Sequence, residues 1–253
     1  MSNSNEFQTW TTYFTINAET PVNIDWGDEY LLSLEEFDRI YTSIRVFQRG
    51  EYSEGKHLMA KAKQAVKHGA PAAYIDALTL FIREEQRHAM ILGRFMKKQR
   101  MPVIRQHWVD DVFRGIRRPL GLGGSILVLT VAEMVALAYY KALREATESR
   151  MLKRICDQIM WDEPHHLRFQ ASGLRMILKN KPAWWAPVGR FMQKFLLAGT
   201  LPLVWVQHRD VFLSGGYRFR ELCKESFEAL KDMWDFQPCH IPTEPHQWLA
   251  AGL

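Results

Sequence analysis

An all-α fold is what this sequence predicts: a four-helix bundle with one long crossover, followed by further C-terminal helices. Three observations carry that expectation. Apolar residues recur at three- and four-residue intervals over four long segments. The breaks between those segments run short, long, short. Glutamates on paired segments fall level with each other across the two short breaks.

From Ser33 onward, Leu34, Phe37, Ile40, Tyr41, Ile44 and Phe47 mark one helical face, and Ser33 with Glu36 three residues later forms a capping-box pattern. The spacing predicts one long helix continuing through Leu58 and Ala62 to His68. Gly69 and Pro71 then close it and open the next, over about residues 72–98. Residues 99–124 contain Pro102, Pro119 and four glycines and read as a long crossover, with a short helix at 107–117. A third helix is expected over about 125–146. A few residues around Glu148 separate it from a fourth, which runs to about Lys179.

Beyond the bundle, residues 184–209 and 219–234 read as two more helices, the first kinked at Pro202, with an irregular tail from Gln237. The expectation is one domain over residues 1–253, with a core bundle at about 33–180 and an extension at about 181–253. Residues 1–21 are polar and carry neither a basic leader nor an apolar core, so no signal peptide is expected and the location is read as cytoplasmic. Cys156, Cys223 and Cys239 are read as free thiols. The most apolar run is read as 195–206, too short to span a bilayer. The net charge of +5, from 33 basic and 28 acidic residues, is spread along the chain. Neither a nucleic-acid nor a membrane signal rises above it.

Two Glu-x-x-His pairs, Glu85/His88 and Glu163/His166, each place a carboxylate and an imidazole on one helical face. Such a pair is common by chance, and Glu54/His57 makes another. Each of the first two, however, has a glutamate on the preceding helix: Glu54 lies 31 residues before Glu85, and Glu133 lies 30 before Glu163. The midpoints coincide with the turns at 69–70 and 148, so the four carboxylates stack at one height. Glu133 lies in an otherwise apolar stretch. Four inward carboxylates need compensation in a low-dielectric core, which two divalent cations would supply. A shared-proton or salt-bridged cluster is the alternative. The expected metal ligands and catalytic residues are therefore Glu54, Glu85, His88, Glu133, Glu163 and His166. Glu51 lies on the same face as Glu54, nearer the height of His88, and is a neighbour of the metals or a ligand in its own right.

With Glu84-Glu85-Gln86-Arg87-His88 and Asp162-Glu163-Pro164-His165-His166 on the page, residues 47–170 resemble the ferritin-like di-iron carboxylate superfamily. That group includes ribonucleotide reductase small subunits, bacterial multicomponent monooxygenases, rubrerythrins and ferritins. The resemblance implies that Glu84 and Asp162 each accept a hydrogen bond from a ligand histidine. Two departures stand out: Glu84 replaces the more usual aspartate, and Pro164 inside the second motif is expected to bulge the helix.

Glutamate oxygens and imidazoles suit iron or manganese, so the expected cofactor is two iron ions, with manganese or a mixed pair as variants. The resemblance implies dioxygen activation to oxidise or oxygenate an organic substrate, with an external electron donor. Ferroxidase or peroxide-reducing chemistry, and tRNA hydroxylation, are the alternatives. Small residues at Gly50, Gly55, Ala132 and Ala136 either leave room for a substrate or let helices pack closely. Tyr140 shares the face of Glu133 and is read as core, and His57 as surface or packing. The apolar helix at 184–205 has three open uses: roofing a cavity, burying a homodimer face, or lying on a membrane surface.

Overall fold

The computed structural model describes residues 3–52, 55–104, 112 and 115–238. Among them the fold is all-α. The helices are α1 (Asn3–Glu19), α2 (Leu34–Glu51), α3 (Lys56–Lys67), α4 (Ala73–Lys98), α5 (Leu122–Glu145), α6 (Arg150–Leu178), α7 (Trp185–Ser214) and α8 (Phe219–Asp235).

α5 and α6 form the most extensive pairing, joined by residues 146–149. Ser149 caps α6 by accepting from the Leu152 N–H, and the Glu36 carboxylate of α2 accepts from the Glu148 N–H at 2.9 Å. That bond ties the start of α2 to the α5–α6 turn. α4 packs on α1, α2, α3 and α6, which places it centrally. α5 has the length and apolarity of a bilayer-spanning helix, but 67% of its most apolar window is buried inside the protein. It is a core helix, and it rather than 195–206 is the most apolar element.

Four features depart from the sequence reading. The polar N-terminus forms α1, whose Phe7, Trp10, Phe14 and Asn17 lie at helical spacing and are all buried. The long first helix is two helices: α2 stops at Glu51, and α3 restarts after Gly55, whose φ of 62° is a left-handed conformation that glycine tolerates. α6 runs through Pro164 as one helix, with no bulge at the second motif. The long C-terminal helix departs from helical dihedrals at His208 (φ −120°, ψ 19°), six residues after Pro202. The short helix expected at 107–117 and the tail beyond 238 fall mostly or wholly outside the described residues.

Candidate metal centre

The two Glu-x-x-His pairs arrive from α4 and α6 and face each other in the interior. Ligating atoms of Glu85, His88, Glu163 and His166 all lie within 4.8 Å of one another, and all four residues are buried. The geometry divides around the two imidazoles. His166 Nδ1 lies 2.6 Å from Glu85 Oε1 and 3.8 Å from Glu163 Oε2. His88 Nδ1 lies 3.7 Å from Glu163 Oε1 and 3.9 Å from Glu51 Oε2. Glu163 thus offers one oxygen to each side.

Glu133, from α5, is buried and faces Glu163; Glu51, from the last turn of α2, is buried and faces Glu85. Glu54 lies outside the described residues. The level-matching that favours Glu54 assumes an unbroken helix from Glu54 to the turn at Gly69, whereas the chain leaves helical conformation after Glu51. It is Glu51 that the structure brings to the cluster.

The remote face of each imidazole is held crosswise. His88 Nε2 is 2.8 Å from Asp162 Oδ2, and His166 Nε2 is 2.9 Å from Glu84 Oε2, so each motif's leading acid engages the other motif's histidine. An Nε2–H donated to a carboxylate leaves the Nδ1 lone pair directed at the cluster. The two acids are bracketed in turn. Asn17 Nδ2 donates to Glu84 Oε1 (2.5 Å) and to Asp162 Oδ1 (2.7 Å). Arg87 Nη2 donates to Glu84 Oε1 at 2.9 Å, and Gln158 Nε2 donates to Asp162 Oδ2 at 2.8 Å.

Glu85 Oε1, both Glu163 oxygens, His88 Nδ1 and His166 Nδ1 are buried without a hydrogen bond of acceptable geometry. Buried polar atoms without a well-formed hydrogen bond are costly, and these five converge on one volume, where His166 Nδ1 and Glu85 Oε1 meet each other at 2.6 Å. Carboxylate oxygens and imidazole nitrogens crowded together in this way form a donor set that divalent cations fit. The charges show how the metal-free cluster copes. Burial, then the neighbouring carboxyls, hold Glu163 and Glu133 above the usual carboxylate range. Burial and Glu85 push Glu51 up to about 8. For Asp162 burial pulls upward, but the hydrogen bond from His88 and the charges of His88 and Arg87 outweigh it and hold the group low. Burial alone would lower both histidines; Asp162 raises His88, and Glu85 with Glu84 raises His166. Cations entering such a cluster would displace the protons that these upward shifts favour.

A cavity of roughly 160 Å3 reaches Glu85 and Glu133, lined by Gly55, Leu58, Phe81, Ile82 and Leu129, with Lys56, His57 and Arg117 on its wall. Gly55 is the small residue that borders this space; Gly50 and Ala132 are exposed. A Cβ at Gly55 would sit 2.5 Å from Ile82 Cδ1. His57 lines the cavity rather than serving only as surface.

Sequence reading missed Asn17, whose only signal is its helical register with Trp10 and Phe14. Gln158 was also missed; it sits one turn before Asp162. Tyr140, read as core, is buried and donates to Glu51 Oε1 at 2.6 Å. His165, beside the ligands, points elsewhere: its ring stacks on Tyr13, Nδ1 meets the Trp161 carbonyl, and burial lowers its pKa to about 4.

Compared with protein-family models, with curated proteins and with solved structures, the chain has no significant match.

Proposed function

We propose that this chain is a non-haem di-metal oxidoreductase of the ferritin-like carboxylate type, using dioxygen to oxidise or oxygenate a small organic substrate. The observation that supports it most is the convergence of buried carboxylate oxygens and imidazole Nδ1 atoms without well-formed hydrogen bonds, with both Nε2 atoms braced by acids. Glu51, Glu85, His88, Glu133, Glu163 and His166 would hold the metals; iron is the first choice and manganese the second. When bound, an iron pair supplies two-electron chemistry with dioxygen at open coordination positions.

The protein's own contribution is positioning, insulation and proton handling. Asp162 and Glu84 fix the tautomer and ring orientation of His88 and His166 and raise their basicity as donors. Asn17, Arg87 and Gln158 hold those two acids in place. Phe14, Phe81 and Phe169 pack around His166 and its neighbours and exclude water from one side. Tyr140 holds a proton against Glu51 Oε1, so movement of Glu51 and of that proton are coupled. The cavity bordering Glu85 and Glu133, lined by both apolar and charged side chains, gives a small molecule access.

The test is anaerobic loading with ferrous ion, then addition of oxygen with and without a panel of small organic substrates. Oxygen uptake that stops after one equivalent of site iron, and resumes with a substrate and a reductant, supports the proposal. Continued turnover of excess ferrous ion with mineral formation would replace it with iron oxidation and storage. Failure to retain iron or manganese would reject both.

A further inference from the structure

The outward face of α7 gathers many of the large apolar side chains that the described residues expose. Trp184, Trp185, Val188, Phe191, Met192, Phe195, Leu203 and Val206 are all exposed, Phe191 at 68%, Phe195 at 73% and Val206 at 77%. At about 100° per residue, these positions fall within a stripe roughly 120° wide, and Trp184 to Val206 spans about 33 Å of helix. A patch of this length exceeds the scattered apolar residues of an ordinary soluble surface.

The orientation of α7 is fixed from inside, so this face is not outward by default. The helix turns its polar residues inward, where each finds a partner. Gln193 donates to Thr130 Oγ1 at 2.6 Å and accepts from Trp234 Nε1 at 2.6 Å. His208 Nδ1 lies 2.8 Å from Ser43 Oγ. Rotating the apolar face inward would break those buried bonds. The sequence thus specifies an apolar exterior on this helix.

The charge pattern selects the occupant. From Pro164 to Arg209 the chain contains seven lysines and arginines and no aspartate or glutamate. Lys179, Lys181, Arg190, Lys194 and Arg209 lead into or lie on α7, and the first acid after them is Asp210. Arg190 falls on the packed side of the helix, at the same angular position as His208, and meets Asp235 of α8 at 3.8 Å, so the cations bordering the stripe are Lys179, Lys181, Lys194 and Arg209. At the N-terminal end, Trp184 and Trp185 stack on each other, and Lys181 lies 5.2 Å from the Trp185 ring. Two copies meeting through this face would oppose two basic borders, with Asp210 beyond the end of the stripe as the one acid of α7 to answer them. An anionic bilayer supplies an apolar layer for the stripe, a headgroup level for the tryptophans and phosphates for the cations.

We infer that α7 is a membrane-surface helix: it seats this protein on anionic lipid, with the Trp184–Val206 stripe in the acyl boundary and the lysines and arginines at the phosphates. The feature is independent of the metal centre, and it places the protein where apolar, membrane-partitioned small molecules would reach it.

The experiment is co-sedimentation of the full chain with vesicles of phosphatidylcholine alone and of equal parts phosphatidylglycerol and phosphatidylcholine, at low and raised salt. Binding to the anionic vesicles at least tenfold tighter than to the neutral ones is expected, weakened by salt, with a blue shift of tryptophan emission. A Phe191→Glu, Phe195→Glu double variant should lose at least tenfold in binding while keeping its helicity and metal content, since both side chains are mostly exposed. Absence of binding to either vesicle would overturn the inference. So would a concentration-dependent dimer that the double variant abolishes while vesicle binding is absent, which would assign the face to a second copy.

Discussion

Replacing Asp162 with asparagine tests how the centre is held. The Asp162 carboxylate accepts from His88 Nε2 (2.8 Å), Gln158 Nε2 (2.8 Å) and Asn17 Nδ2 (2.7 Å), and it lies 3.4 Å from Arg87. Asparagine keeps the shape. With its amide oxygen toward His88 and Gln158, its NH2 faces the Asn17 NH2, which stays committed to Glu84, so the one hydrogen bond from Asn17 is given up at a cost of about 1 kcal/mol. What disappears is the negative charge behind His88, and with it the raised basicity of Nδ1. Partners of this kind are worth about 10- to 100-fold in metal affinity, or about 1.4 to 3 kcal/mol. The loss should fall on the His88 side of the cluster, since His166 is braced separately by Glu84. Titration of metal-depleted Asp162→Asn with manganous or ferrous ion against a competing chelator should show one weakened site and one near parental strength, with thermal unfolding of the metal-free protein little changed. Two sites of parental affinity in a folded variant would refute the reasoning.

Glu133→Ala and Glu163→Ala should each remove most of the bound metal, whereas His57→Ala, on the cavity wall, should retain it; equal retention in all three would contradict the ligand assignment. Tyr140→Phe should cost about 1 to 2 kcal/mol of stability through loss of its buried hydrogen bond to Glu51, measured by denaturant unfolding, with metal content preserved. The metal-free protein should lose stability as pH rises. Glu51 has its ordinary value near 4.5 but titrates at about 8 in the folded protein, and Glu163, Glu133, His88 and His166 shift upward too. Between about pH 4.5 and 8 the folded state keeps the Glu51 proton that the unfolded state loses, so Glu51 removes roughly 1 kcal/mol of stability per pH unit, while His165, lowered to about 4, acts oppositely only up to its ordinary value near 6.5. Melting temperatures of the metal-free protein should therefore fall between pH 6.5 and pH 8. Metal affinity should rise over the same range, because binding releases those protons; a metal-free protein more stable at pH 8 would contradict the shifts.

The helices of the site were largely legible because their apolar periodicity and turn residues agree: α4, α5, α6 and α8 begin and end within a few residues of where the pattern places them. The pairing of Glu85 with His88 and of Glu163 with His166 needed only helical spacing. The part that misled was continuity through Tyr52–Gly55, where apolar residues keep helical spacing on both sides of a break that a left-handed glycine creates. Spacing along one helix cannot register that break; the structure brings Glu51 beside His88, and Glu54 itself lies outside the described residues. Asn17 was hidden for another reason: its role depends on α1 packing across α4 and α6, a tertiary fact that no local pattern in a polar N-terminus announces. The kink of α7 at His208 rather than at Pro202 is also tertiary, since His208 is held by Ser43 of α2.

The most direct test of the central claim is metal content per chain after anaerobic loading with iron or manganese, measured on the parent and on Glu163→Ala. The account predicts about two ions per parent chain and close to none in the variant, whose missing carboxylate faces both imidazoles. A parent chain that takes up no metal, or a variant that holds as much as the parent, would contradict it.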